Sequence, residues 1–287
     1  MKKSAIRIFV ACLLAVAAPA SAAAADTPDE QVEMAGLEVA VWKPASGAGP
    51  FPLVLFSHGL FGCKTQSNYL MRALAERGML VAAPDHEDAS PACPRLSADA
   101  SFPADLANPG SWNDGLRASR GKNLRDLRAA LEADGRLGAM IDPDRAALVG
   151  HSLGGYTVLG LAGGWPAWST GMGKVTAVVA LASFARPLLR NGELDAIPVP
   201  VMVQGGLLDG VAPALEQAAV YAAIEAHGCK VLYTGADHFA WTALDLFGLH
   251  HEPTARTVAG FLAAAFAGRV PTKADVPPSI SAAVECK

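Results

Sequence analysis

Ser152, Asp209 and His238 are residues whose types and order can do nucleophilic chemistry together. A serine hydroxyl is a weak nucleophile until a base takes its proton. A histidine serves as that base when an acid fixes its tautomer and supports the positive charge it gains. Ser152 lies in Gly150-His151-Ser152-Leu153-Gly154. The apolar run Ala146 to Val149 before it reads as a buried strand, and Tyr156 to Ala162 after it can start a helix at once. A serine at the tip of such a strand-turn-helix stands in a strained backbone and is presented to a substrate. The flanking glycines let strand and helix approach closely. The helix start turns free N–H groups toward developing negative charge, so the Leu153 N–H is one expected oxyanion donor.

The partners come from later strand ends. Asp209 follows the apolar run Val199 to Gln204 through a glycine-rich turn, whereas Glu193 and Asp195 lie in an irregular segment. His238 follows the last core strand, Lys230 to Tyr233, and precedes Phe239 and Trp241. His58 and His151 belong to turns, His227 to a helix end, His86 to a long loop, and His250 and His251 lie beyond the last strand. The second oxyanion donor is expected in His58-Gly59-Leu60-Phe61-Gly62, after the strand Leu53 to Phe56, at the Leu60 N–H. Phe61, Trp165, Trp168 and Trp241 are candidates for an apolar substrate pocket. Asp85-His86-Glu87-Asp88 reads as hydrogen bonding at a strand end, not as metal ligands, because adjacent loop residues rarely converge on one ion. No C-x-x-C or H-E-x-x-H spacing occurs, and no metal or cofactor is expected.

These residues need a frame. Apolar runs at Leu53 to Phe56, Met79 to Ala83, Ala146 to Val149, Val175 to Leu181 and Val199 to Gln204 read as strands buried on both faces. Helical spacing falls between them: Gln66 to Arg77 with Gly78 as its end, Asn123 to Leu137, Pro213 to His227 and Thr254 to Ala267. Strand-helix-strand alternation implies an α/β fold with a mostly parallel central sheet flanked by helices and right-handed crossovers. In such a sheet the functional loops gather at the carboxyl ends of the strands. Leu37 to Trp42 reads as an edge strand, Asp26 to Ala35 as loose, Ile141 to Asp144 as a turn, and the segment from about 271 as an irregular tail.

The chain has 287 residues, 52% hydrophobic, with a formal net charge of −4. A basic patch is lacking, which argues against nucleic acid as a partner. Lys2, Lys3 and Arg7 precede the apolar stretch Ile8 to Ala18, which is short for a bilayer span, and then Ala20-Ser21-Ala22. This pattern reads as a signal peptide over residues 1–22, with a cleavage point as late as 25 as the rival, leaving 26–287 as one domain. Export to the periplasm or the medium is expected, with no later transmembrane segment. Cys63, Cys93, Cys229 and Cys286 then suggest two disulfides. Three pairings are open; Cys63–Cys93 is preferred because it ties two loops at one sheet edge, with Cys229–Cys286 fastening the tail to a core strand.

Phe56-Ser57-His58-Gly59-Leu60, Val81 to His86, Gly150 to Gly155 and Asp237-His238-Phe239 resemble the α/β-hydrolase superfamily. Within it they are similar to dienelactone hydrolase-like and platelet-activating-factor acetylhydrolase-like esterases. Gly205 to Pro213 is similar to the acid loop of bacterial cutinases and polyester hydrolases. The resemblance implies an α/β-hydrolase fold, cleavage of small-molecule or lipid-like carboxylic esters without a cofactor, and Leu60 and Leu153 as oxyanion donors. One departure stands out: where the acetylhydrolase branch carries its acid, this chain has Ala182-Ser183. The same triad could serve an acyltransferase or a peptide hydrolase. A non-catalytic binding module has no need of all three residues.

Overall fold

The apolar runs become one sheet because residues buried on both faces leave a strand nothing but other strands and covering helices to face. A computed structural model describes residues 26–91, 93, 103–245, 247–277 and 282–287. The expected signal peptide lies outside the described residues. The strands are β1 (Glu30–Met34), β2 (Leu37–Trp42), β3 (Phe51–Ser57), β4 (Leu80–Pro84), β5 (Ile141–His151), β6 (Ala177–Leu181), β7 (Val201–Gly206), β8 (Gly228–Tyr233) and β9 (Ala282–Cys286). They lie in the order β1-β2-β4-β3-β5-β6-β7-β8-β9. Pairing is parallel from β4 through β8, and antiparallel for β1 on β2, β2 on β4 and β9 on β8.

Helices α1 (Asn68–Ala75), α2 (Ala118–Ala133), α3 (Leu153–Leu159), α4 (Pro166–Ser169), α5 (Arg186–Asn191), α6 (Ala214–Ala223) and α7 (His251–Phe266) cover the sheet. Two buried clusters result, one on each face. Leu53, Leu55, Leu148 and Val178 meet Leu124 and Leu127 of α2, Tyr156 of α3 and Val220 of α6. Their strand neighbours Val54, Phe56, Val149 and Val179 meet Leu70 and Leu74 of α1 and Val258 and Phe261 of α7. The two-residue period of a strand sends alternate side chains into the two cores.

Several segments depart from expectation. The stretch expected to be loose pairs as a hairpin, since Ala35 (φ 54°) and Gly36 (φ 73°) form a two-residue turn with both residues in the left-handed region. The expected turn at Ile141 to Asp144 is absorbed into β5, whose register against β3 shifts between Pro52 and Leu53. Helix α2 begins earlier than its leucines suggest, because Arg120 and Gly121 occupy its first buried turn. The tail is not irregular to its end: β9 pairs Cys286 with Cys229 and Val284 with Val231. Its alternate residues are half-buried and exposed, as an edge strand packed on one face requires. The long loop after β4 is partly ordered by short turns at Ala104–Ala107 and Pro109–Ser111, which lead into the buried Trp112.

Both preferred disulfides are present, Cys63–Cys93 and Cys229–Cys286. The second closes a loop between residues 57 positions apart. Replacing Cys229 and Cys286 together by alanine is expected to cost about 2–4 kcal/mol of unfolding free energy. It should also expose the last residues to carboxypeptidase under native conditions. Urea unfolding and timed digestion check both; an unchanged midpoint and an undigested tail would be the contrary result.

Candidate active site

The turn that carries Ser152 exists because nothing larger than hydrogen fits beside it. A Cβ on Gly150 would meet the Gly154 carbonyl oxygen at 2.2 Å, and one on Gly154 would meet the Ser57 carbonyl oxygen at 2.0 Å. Ser152 itself takes φ 55° and ψ −116°, a conformation that costs on the order of 1–3 kcal/mol. Its surroundings hold it there. The Ser152 N–H donates to the Leu181 carbonyl at 2.9 Å, and the Ser152 carbonyl accepts from Tyr156 N–H at 3.1 Å and Phe184 N–H at 3.0 Å. The strand end, the helix start and the end of β6 thus fix one backbone unit.

His238 Nε2 stands 2.9 Å from Ser152 Oγ, and His238 Nδ1 stands 2.8 Å from Asp209 Oδ2. The other Asp209 oxygen accepts from the N–H groups of Val211 and Ala212, each at 2.8 Å. Burial works to raise the Asp209 pKa. The hydrogen bond and charge of His238, with the two N–H groups, outweigh it and hold the carboxyl below its ordinary value. An ionised Asp209 requires a proton on Nδ1, which leaves Nε2 free to accept from the serine hydroxyl. All three side chains are buried or nearly so. The three residues picked out by type and order in the sequence therefore form one unbroken hydrogen-bonded row.

A second row runs beneath the first. The Gly59 N–H donates to Gln66 Oε1 at 3.0 Å, and Gln66 Nε2 lies 3.1 Å from His151 Nδ1. His151 Nε2 donates to the carbonyl of His238 at 2.9 Å. Because a carbonyl only accepts, the proton of His151 is on Nε2 and its Nδ1 accepts from Gln66. This row joins the loop of Leu60 to the backbone of His238. Trp241 lies below it, fully buried, stacked on His151 and donating to Gln204 Oε1 at 3.0 Å.

The Leu60 loop lies against the serine: a Cβ on Gly59 would be 3.4 Å from Ser152 Cβ and 3.0 Å from His151 Nδ1. Leu60 is half-buried, and Leu153 is the first residue of α3. Phe61 is half-buried beside Leu60, with φ 55° and its N–H donating to Asp88 at 3.3 Å. The other aromatic candidates lie elsewhere. Trp165 and Trp168 are core residues, with Trp165 Nε1 donating to Tyr156 Oη at 3.0 Å and Trp168 lying over the glycine faces of Gly121 and Gly160. Their place in the core follows from those two glycines, whose missing side chains make room for an indole. Trp241 is likewise beneath the site and shows no surface.

Asp85-His86-Glu87-Asp88 supplies strand-end hydrogen bonds. Asp85 pairs with Lys64, His86 with Ser57 and Asn123, and Asp88 with Arg120. The position after β6 where a carboxylate was missing is filled by an amide: Gln217 Oε1 accepts from the N–H and hydroxyl of Ser183, at 3.1 and 2.8 Å. Gln66, Arg120 and Gln217 escaped sequence reasoning, as did the pairing of Asp88 with Arg120. They are single polar residues within helices or loops and form no motif.

His58, His86 and His151 are all neutral. Burial, then the charge of Arg120, pushes His58 down to about 4. Burial, then the charge of His238, pushes His151 down to about 3. His86 is pushed well below its ordinary value by burial, Arg120 and His58. Below the ordinary histidine value of 6.5 the unfolded chain binds protons that the folded chain refuses. Stability should therefore be fully present above that value. It should fall as the pH drops toward 4, by roughly 1.4 kcal/mol per pH unit for each such histidine. Urea unfolding at pH 7 and pH 5 measures the loss, and NMR should show flat imidazole signals for His58 and His151 across that range. Signals that titrate there would be the contrary result.

No curated protein matches the chain. Over residues 32–108 it matches the family model of platelet-activating factor acetylhydrolase, isoform II. That stretch carries β2, β3, β4 and the Leu60 loop, and Ser152, Asp209 and His238 lie beyond it. The mostly parallel sheet with flanking helices and a strand-serine-helix turn is the α/β-hydrolase type of fold, and over residues 32–108 the chain resembles the platelet-activating factor acetylhydrolases.

Proposed function

We propose that this protein is a serine hydrolase of carboxylic esters. The observation that carries the reading is the row from Ser152 Oγ through His238 to Asp209, closed at 2.9 and 2.8 Å. In this reading His238 Nε2 takes the Ser152 proton as Oγ attacks the ester carbonyl. The carbonyl oxygen becomes an oxyanion that accepts from the Leu60 and Leu153 N–H groups. His238 then gives its proton to the departing alcohol, leaving an acyl-enzyme. Water, deprotonated by His238, repeats the attack and releases the acid and the free serine. Asp209 holds the imidazole tautomer throughout and supports the imidazolium.

An ester with apolar groups suits the surroundings. Leu207 and Leu208 stand 56% and 65% exposed immediately before Asp209, and Phe247 and Leu249 are exposed on the segment after His238. The match to an acetylhydrolase family supports a lipid-like ester. Export from the reducing cytoplasm is part of the same proposal, supported by the two disulfides.

p-Nitrophenyl acetate, butyrate and octanoate test the reading. Ser152→Ala should abolish hydrolysis. Asp209→Asn should lower kcat by about 10⁴-fold, because an amide facing Nδ1 favours the wrong tautomer. Acyl-enzyme formation should show as one equivalent of covalent label from a fluorophosphonate, lost in Ser152→Ala. Hydrolysis at an unchanged rate by Ser152→Ala would remove the serine from the mechanism.

A further inference from the structure

Arg120 is a charged side chain that the reaction above does not use, yet it is almost fully buried beneath the Leu60 loop. Its guanidinium reaches several groups at once, Ser57 Oγ among them at 3.4 Å. Nε and Nη2 each donate to Asp88 at 2.9 Å. Nη1 donates to the His58 carbonyl at 2.8 Å, and Nη2 also donates to the Gly59 carbonyl at 3.2 Å. The Gly59 carbonyl accepts two more hydrogen bonds, from His58 Nδ1 at 2.7 Å and from the Gly62 N–H at 3.0 Å. A buried guanidinium is expensive unless fully paired, and here it is paired with one carboxylate and with two carbonyls of one loop.

The consequence is geometric. The Gly59 carbonyl and the Leu60 N–H belong to the same peptide unit, which is planar and trans, so they point in opposite directions. Whatever fixes the carbonyl fixes the N–H. Arg120 and His58 draw the carbonyl toward α2, so the Leu60 N–H faces away from α2. Gly59 Cα begins that peptide, and a Cβ built on it would come 3.4 Å from Ser152 Cβ and 3.0 Å from His151 Nδ1, so the peptide lies beside the serine. The neighbouring unit is held as well, its carbonyl by Arg120 and its N–H by Gln66.

We infer that Arg120 is the positioning residue of the oxyanion site: clamped by Asp88, it sets the direction of the Leu60 N–H through the carbonyls of His58 and Gly59. The inference rests on the reading of Ser152 and Leu60 given above. It requires arginine in particular. Only a planar fork can face a carboxylate along one edge and two carbonyls along another; a lysine can satisfy one side at a time.

The test compares wild type, Arg120→Lys, Arg120→Met and Ser152→Ala with p-nitrophenyl butyrate. Active sites are titrated with a fluorophosphonate, and a trifluoromethyl ketone serves as an inhibitor whose adduct carries an oxyanion. In folded Arg120→Met, kcat per titrated site should fall on the order of 100-fold, the scale of one lost oxyanion donor. KM should move less than about threefold, and inhibitor affinity should fall in step with kcat/KM. Arg120→Lys should recover part of both losses. If Arg120→Met does not fold, Arg120→Lys carries the comparison alone, with a smaller parallel loss expected. Folded Arg120 variants that lose only melting temperature, with kcat per site and inhibitor affinity near wild type, would overturn the inference. The esterase reading fails separately, through activity that survives in Ser152→Ala.

Discussion

The site depends on a shortage of space at one turn. Strand β5 must pass directly into helix α3, and the crossing leaves no room for a side chain at Gly150 or Gly154. Where the backbone is pressed this closely against the carbonyls of Ser57 and His58, the loop after β3 and the turn after β5 are no longer independent. Ser152 can stand at this turn because the residues two before and two after it carry only hydrogen. Its strained φ is borne by hydrogen bonds from three different elements. The loop of Leu60 is brought beside the serine by the same close contact.

Around that contact the polar groups are arranged in rows, each with a defined direction of donation. One row runs from serine to aspartate, and a second from Gly59 to the His238 carbonyl through Gln66 and His151. The second row works only if His151 stays neutral, since a charged imidazole would have no lone pair for the Gln66 amide. Burial enforces that neutrality. The charged Arg120 lies close by at the loop of Leu60, and its positive charge helps keep His58 and His86 neutral. Around the Leu60 loop charge is thus carried by Arg120 and Asp88, and His58, Gln66 and His151 beside them are neutral donors or acceptors.

The fold was readable where one residue type dominates a segment. Continuous runs such as Leu53 to Phe56 and Ala146 to Val149 left little choice but buried parallel strands. Gly150 to Gly154 announced the turn, and the order of Ser152, Asp209 and His238 announced the row. Reading failed where the deciding partner is distant in the chain. Arg120 is unremarkable until α2 is laid against the loop at His58. Trp165 and Trp168 suggested a pocket wall, and it takes the glycines at 121 and 160 to show that they are core. The strand at Ala282–Cys286 has only alternation and one cysteine to announce it, and needs Cys229 opposite to be a strand at all.

The two outermost strands give the sheet its limits. β1 and β9 are five residues each and antiparallel to their neighbours. Each carries at least one paired glutamate, with Glu30 tied to Lys43 and Arg136 and Glu285 tied to Lys230. Short, charged borders of this kind are poor templates for another chain's backbone. A sheet whose interior is almost wholly apolar is thereby kept from growing sideways into a neighbour, so its two ends guard solubility while its carboxyl edge carries Ser152, Asp209 and His238.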